Sequence, residues 1–132
     1  MVAYKGGKCP FKDKQFSIVF SNAVIEHVGD FKDELLFLEE MKRVGNAFYF
    51  TTPAKEFPVE LHTNFPFVHW FAKDVFNRVV NLSGKGWASG DYMNLLGRRE
   101  IEALLRRSGV TECKIFTQRL GPFPLHYSVY GR

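Results

Sequence analysis

The run Phe16-Ser17-Ile18-Val19-Phe20, followed by the amphipathic stretch Phe31 to Val44 and then Ala47-Phe48-Tyr49-Phe50-Thr51-Thr52-Pro53, decides the fold. The first run is short, β-branched and aromatic, and the polar turn Lys12-Asp13-Lys14-Gln15 leads into it, so it reads as a strand entering a core, buried on both faces as in parallel sheets. In the second, Phe31, Leu35, Leu38 and Met41, with Leu36, Phe37 and Val44, recur at helical spacing, and Glu34, Glu39, Glu40 and Lys42 fall outside the stripe. Asp30 is placed to cap this helix and Gly45 to stop it. The third run is again a strand, ended by Pro53, which cannot donate to a ladder. Strand, helix and strand joined by tight connections make a right-handed βαβ unit with parallel strands.

Working outward, residues 54–71 break every periodicity. Pro58 and Pro66 interrupt Phe57, Phe65, Phe67, Trp70 and Phe71, with Glu60, His62 and His69 among them. A long aromatic loop of this kind is usually functional. Helices are expected over Lys73 to Leu82 and Arg98 to Ser108, the latter stopped by Gly109, with a glycine-rich connector from Gly84 to Gly90. The chain closes on two strands, 112–117 and 125–130, near enough across Gly121-Pro122-Phe123-Pro124 to pair antiparallel.

Bulk properties narrow the function classes. The 132 residues, 45% hydrophobic with 14 Phe, 5 Tyr and 2 Trp, suffice for one domain with a core. The net charge of +4 comes from Lys and Arg scattered among carboxylates, without the dense runs of nucleic-acid binders, so no nucleic-acid partner is expected. Two distant cysteines, Cys9 and Cys113, suggest neither a disulfide scaffold nor a metal site, and suit a reducing cytoplasm. No run reaches the roughly 18 apolar residues of a membrane span, and Met1 to Pro10 lacks a signal-peptide core, so a cytoplasmic protein without membrane attachment is expected.

The local sequence resembles one family. Cys9-Pro10-Phe11-Lys12-Asp13-Lys14-Gln15-Phe16-Ser17-Ile18-Val19 is similar to the leucine-proline-phenylalanine turn leading into the fourth strand of class I S-adenosylmethionine-dependent methyltransferases of the type 11 kind. Ser21-Asn22-Ala23-Val24-Ile25-Glu26-His27-Val28 is similar to the segment that follows, and Phe50-Thr51-Thr52-Pro53 to the end of the fifth strand. Glu60 to Trp70 resembles an acceptor-side insertion of some bacterial members.

The resemblance implies a partial Rossmann-like α/β fold, a mixed sheet of about four strands in family order 4-5-7-6 with the last strands antiparallel. It covers the C-terminal half of a family member; the glycine-rich turn and the ribose-holding acid of the N-terminal half have no counterpart here. The pattern is also broken where Lys5 and Ser17 stand in place of usual aspartates.

By resemblance, S-adenosylmethionine is the cofactor, and Asn22, Ala23 and Phe11 are its candidate contacts. His27, His62 and His69 are the candidate general bases for a small-molecule or glycan-like acceptor, His titrating near neutrality. Glu26 could orient His27 or remain a solvated loop residue, and the aromatics of the loop either stack on the acceptor or pack as a lid. Two functions stay open: a methyltransferase whose site is completed by a second copy or a complementary N-terminal half, and a non-catalytic, truncated domain serving as a homodimeric interaction module.

Overall fold

The computed structural model describes residues 7–59, 64–86, 89–90 and 94–132. Lys5, Glu60 and His62 lie outside them.

The βαβ unit forms as the sequence implies. Strand β1 (Phe16–Asn22) pairs parallel with β2 (Gly45–Pro53), with Ile18 opposite Ala47 and Asn22 opposite Thr51, and α1 (Phe31–Val44) crosses between them. The Asp30 carboxylate accepts from the Lys32 and Asp33 amides while Asp33 accepts from the Asp30 amide, a reciprocal cap that leaves few orphan donors at the helix start. Gly45 stops α1 in extended rather than left-handed conformation, because β2 begins at once. A Cβ there would lie 2.7 Å from both the Ala47 carbonyl oxygen and the Val19 side chain.

Helices α2 (Lys73–Leu82) and α3 (Arg98–Arg107) follow, then the hairpin of β3 (Cys113–Leu120) and β4 (Phe123–Gly131). Its strands are longer than the sequence suggests, so the turn shrinks to Gly121 and Pro122, with Gly121 left-handed at φ 59°. Pro124 is tolerated inside β4 because it faces Arg119 at a register shift, beyond the reach of β2. The sheet runs β1-β2-β4-β3, parallel in its first pair and antiparallel in the other two.

One face of the sheet carries the core. Phe48, Phe50, Tyr127 and Val129 pack against Leu38 and Met41 of α1 and Ile101, Leu104 and Leu105 of α3. Burying each such large side chain contributes roughly 1.5–3 kcal/mol. A satellite cluster joins Phe76 and Val80 of α2 to Phe65, Val68 and Leu95.

Two expectations are corrected. β1 is not buried on both faces: Phe16, Ile18 and Phe20, 36, 54 and 64% exposed, line the face that no helix covers among the described residues. The stripe of α1 is also rotated from its expected position: Leu36 is exposed, and Glu34 is buried in line with Leu38 and Met41. The segment before β1 is tied down by Arg43, whose guanidinium donates to Glu40, Asp13 and the Phe11 and Cys9 carbonyls. That pairing holds the Glu40 carboxyl down at about 2. No helix among the described residues is long and apolar enough to cross a membrane.

Candidate functional site

Open α/β sheets bind ligands beyond the carboxyl ends of their parallel strands. Here that end is built from Asn22, the close of β2, and the starts of α1 and α3. Ala23 leaves β1 at φ 50°, a conformation costly for a residue with a Cβ. It is held there because its amide donates to the Thr51 carbonyl at 3.0 Å, while the Thr51 hydroxyl donates to the Asn22 Oδ1 at 2.5 Å. The side-chain oxygen of Asn22 is therefore engaged, and its exposed amide is left to donate outward.

The loop after Ala23 folds back as a single 3-10 turn, Ile25–His27. Glu26, expected as a partner of His27 or a solvated residue, is fully buried and accepts from the Thr52 hydroxyl at 3.1 Å, so it pegs the loop to β2. Asn94 completes the seam: its amide donates to the Glu26 carbonyl at 2.7 Å, its side chain donates to the Gly29 carbonyl, and it accepts from Lys73.

Beside this seam opens a cleft of about 380 Å³. Phe31, Phe71, Phe76, Leu95 and Leu96 give it apolar walls, and Asp30, Glu34, Lys55, His69, Lys73, Asn94 and Glu100 bring polar groups to it. Its rigid side is the junction of β2 with α3. The Lys55 amide donates to the Leu96 carbonyl, the Lys55 ammonium pairs with Glu100 at 2.7 Å, and Glu100 caps the Gly97 amide at 2.5 Å. Glu56 caps the Arg98 amide and accepts from the Tyr127 hydroxyl, which burial, with Glu56 beside it, pushes up to about 12.

Two groups in the cleft have unmet hydrogen-bonding capacity. Glu34, 2% exposed, has a buried Oε1 with no hydrogen-bond partner among the described residues. Burial pushes its carboxyl up to about 7, with further repulsion from Glu100 and Asp30 that Lys55 only partly offsets. His69 lies on the second 3-10 turn, Val68–Trp70, with Nε2 3.0 Å from the Lys55 carbonyl. A carbonyl only accepts, so Nε2 donates, and the buried Nδ1 has no hydrogen-bond partner among the described residues. The indole of Trp70 donates to the same carbonyl at 2.9 Å, fixing the turn.

The sequence-derived candidates therefore separate. His69 lines the cleft, and half-buried His27 does not. Asn22 and Ala23 stand together at the carboxyl end of β1, whereas Phe11 packs edge-on to Phe16 at the strand's other end, so a ligand touching all three would run the strand's length. Phe71 walls the cleft, while Phe65 belongs to the α2 cluster. Glu34, Lys55, Asn94 and Glu100 escaped sequence reasoning. Only Glu34 left a signal, a carboxylate four residues before Leu38 and seven before Met41 on the helix.

Comparison with known proteins places this arrangement. Residues 2–47 match the family model of a methyltransferase domain. No curated protein matches the sequence. Among solved structures, a possible exported protein from Bordetella parapertussis superposes with a TM-score of 0.57 at 12% identity, over 92% of this chain and 40% of its own. A SAM-dependent methyltransferase from Aquifex aeolicus gives 0.54 at 16% identity, over 98% of this chain and 52% of its own. One from Methanosarcina mazei gives 0.55 at 14%, over 94% and 62%. The chain thus spans less than two thirds of each of these structures. With the strand order β1-β2-β4-β3 and the closing antiparallel hairpin, the 132 residues share the fold of part of these SAM-dependent methyltransferase structures.

Proposed function

We propose that this chain forms the acceptor side of an S-adenosylmethionine-dependent methyltransferase, with a small-molecule or glycan-like acceptor in the cleft beside Asn22. The observation that carries this reading is His69, held by a backbone carbonyl with its Nδ1 buried on the cleft wall and without a hydrogen-bond partner among the described residues. Such a ring can take the proton an acceptor hydroxyl or amine must lose. S-adenosylmethionine, when bound, supplies a methyl group already activated as a sulfonium, so the protein's part is to position and dehydrate.

The residues present fit one end of that cofactor only. The outward amide of Asn22 at the strand end would hold its amino-acid portion, with the Ala23 turn giving close approach. The rest of the site would come from a second copy or a complementary N-terminal half. His27, outside the cleft, has a supporting place in the loop, and His62 belongs to the same aromatic segment as His69. The free thiols Cys9 and Cys113 suit a cytoplasmic setting.

A second reading is favoured by one observation, the bare apolar face of β1: a non-catalytic homodimeric interaction module. Calorimetric titration with S-adenosylhomocysteine, over a range of protein concentrations, separates the two. The enzyme reading expects binding that Asn22→Ala weakens about tenfold, the loss of roughly one charge-assisted hydrogen bond. Absence of binding at every concentration refutes completion of the site by a second copy and leaves a complementary N-terminal half or the interaction module.

A further inference from the structure

Every polar group that other residues bring to the cleft has a donor or acceptor from the chain itself. Lys55 is paired with Glu100, Lys73 donates to Asn94, and Asp30 and Glu100 are occupied with the amides of α1 and α3. The two atoms left over, Glu34 Oε1 and His69 Nδ1, are both buried and without a partner among the described residues; a carboxylate oxygen takes a donor, and so does an imidazole nitrogen that carries no proton. They come from different elements, α1 and the Val68–Trp70 turn, yet line the same cleft under aromatic walls.

We propose that the cleft selects an amine, an organic cation whose N–H groups are donated to Glu34 and His69 while its apolar body lies against Phe31, Phe71 and Phe76. The inference rests on reading the cleft as the acceptor side of a methyltransferase and names the acceptor's class. An anion is excluded by the same inventory, because the amides at the starts of α1 and α3 that would attract it are already capped by carboxylates. An alcohol could satisfy one lone pair, but only a cation also offsets the cost of holding a carboxylate out of water. Aromatic rings suit a cation by their negative faces, as Arg107 over Phe31, 5.1 Å from the ring centre, already shows. An amine held there can pass a proton to Glu34 or His69, which frees its lone pair as a nucleophile.

The Glu34 carboxyl is faced by Lys55 from the end of β2, Glu100 from α3, and Asp30 and Asp33 from its own helix start, with His69 and Lys73 on the remaining walls. Since it titrates at about 7, a cation arriving at neutral pH displaces its proton.

The test needs no cofactor. The 132-residue chain is titrated calorimetrically at pH 7 with 2-phenylethylamine, 2-phenylethanol and phenylacetate, in two buffers of different ionisation heat. The amine should bind about tenfold more tightly than the alcohol, as a charged hydrogen-bonded partner does over a neutral one. It should release about half a proton, the fraction bound by a group at its midpoint, and phenylacetate should not bind. Glu34→Gln should erase the amine's advantage while alcohol binding persists. Equal binding of amine and alcohol, preference for phenylacetate, no binding by any of the three, or amine binding without proton release each overturns the inference, and none of the four needs a variant to fold. A chain that takes up S-adenosylhomocysteine but not the amine refutes the acceptor class alone; amine binding without cofactor binding refutes completion of the cofactor site by a second copy and spares the cleft's selectivity.

Discussion

Glu34, which the apolar pattern of α1 leaves outside its stripe, is buried in line with Leu38 and Met41, and its carboxyl is raised from 4.5 to about 7, chiefly by desolvation. A raised carboxyl pKa means the folded chain binds a proton that the unfolded chain has already lost. Stability from this group is therefore fully present below pH 4.5 and falls as pH climbs through 7. Glutamine keeps the shape and cannot ionise. Glu34→Gln should then unfold in denaturant with a stability that no longer declines over this window, gaining on the parent by on the order of 2–3 kcal/mol between pH 5 and pH 8. Parallel pH profiles for the two proteins would show that Glu34 is solvated in solution. An apolar residue would carry no such cost, so a carboxylate buried at this position argues for use of the cleft.

At the level of elements, the βαβ unit, both later helices and the closing hairpin were legible because each rests on a local signal: alternation or a β-branched run, the 3.6 period, Asp30 as cap, glycine-proline punctuation. The faces were not legible. Which side of β1 is covered depends on where α1 and α3 land, and the rotation of α1 that buries Glu34 follows from the same docking. Of the site, His69 could be picked out by chemistry, whereas Lys55, Asn94 and Glu100 are brought to it by the β2–α3 junction, a contact between residues far apart in the chain. Gly131 shows how such contacts hide in the sequence. It lies opposite Phe48 on one side and Cys113 on the other, and a Cβ there would sit 2.3 Å from the Phe48 ring. Gly131→Ala should cost about 1–3 kcal/mol by overpacking. Adding Phe48→Leu should recover part of that loss in thermal melts, since the smaller side chain withdraws the ring. A double variant no more stable than the sum of the two single losses would place the strain in the backbone of β4 instead.

For the molecule as a whole, the decisive asymmetry is that α1 and α3 cover one face of the sheet while the opposite face shows Phe16, Ile18, Phe20 and Phe116 to solvent. Phe20 stacks on Tyr49 across the β1–β2 pair, so the apolar surface is continuous over two strands. The outer edge of β1, which has no neighbouring strand among the described residues, adds a row of backbone donors and acceptors. An apolar face beside an open edge favours association, by strand addition at the edge, by burial of the face, or by both. The 132-residue chain should therefore sediment as a species whose mass rises with concentration. Replacing Ile18 and Phe20 together by Lys should return it to a monomer with an unchanged far-ultraviolet spectrum, because both side chains point away from the core and a charge on an edge strand discourages pairing. If the parent chain is already monomeric at every concentration, association is refuted and with it the interaction-module reading; if the Lys variant still associates, the contact lies elsewhere. Association lost together with S-adenosylhomocysteine binding would tie this face to the completion of the cofactor site, and association lost while binding persists would separate the two.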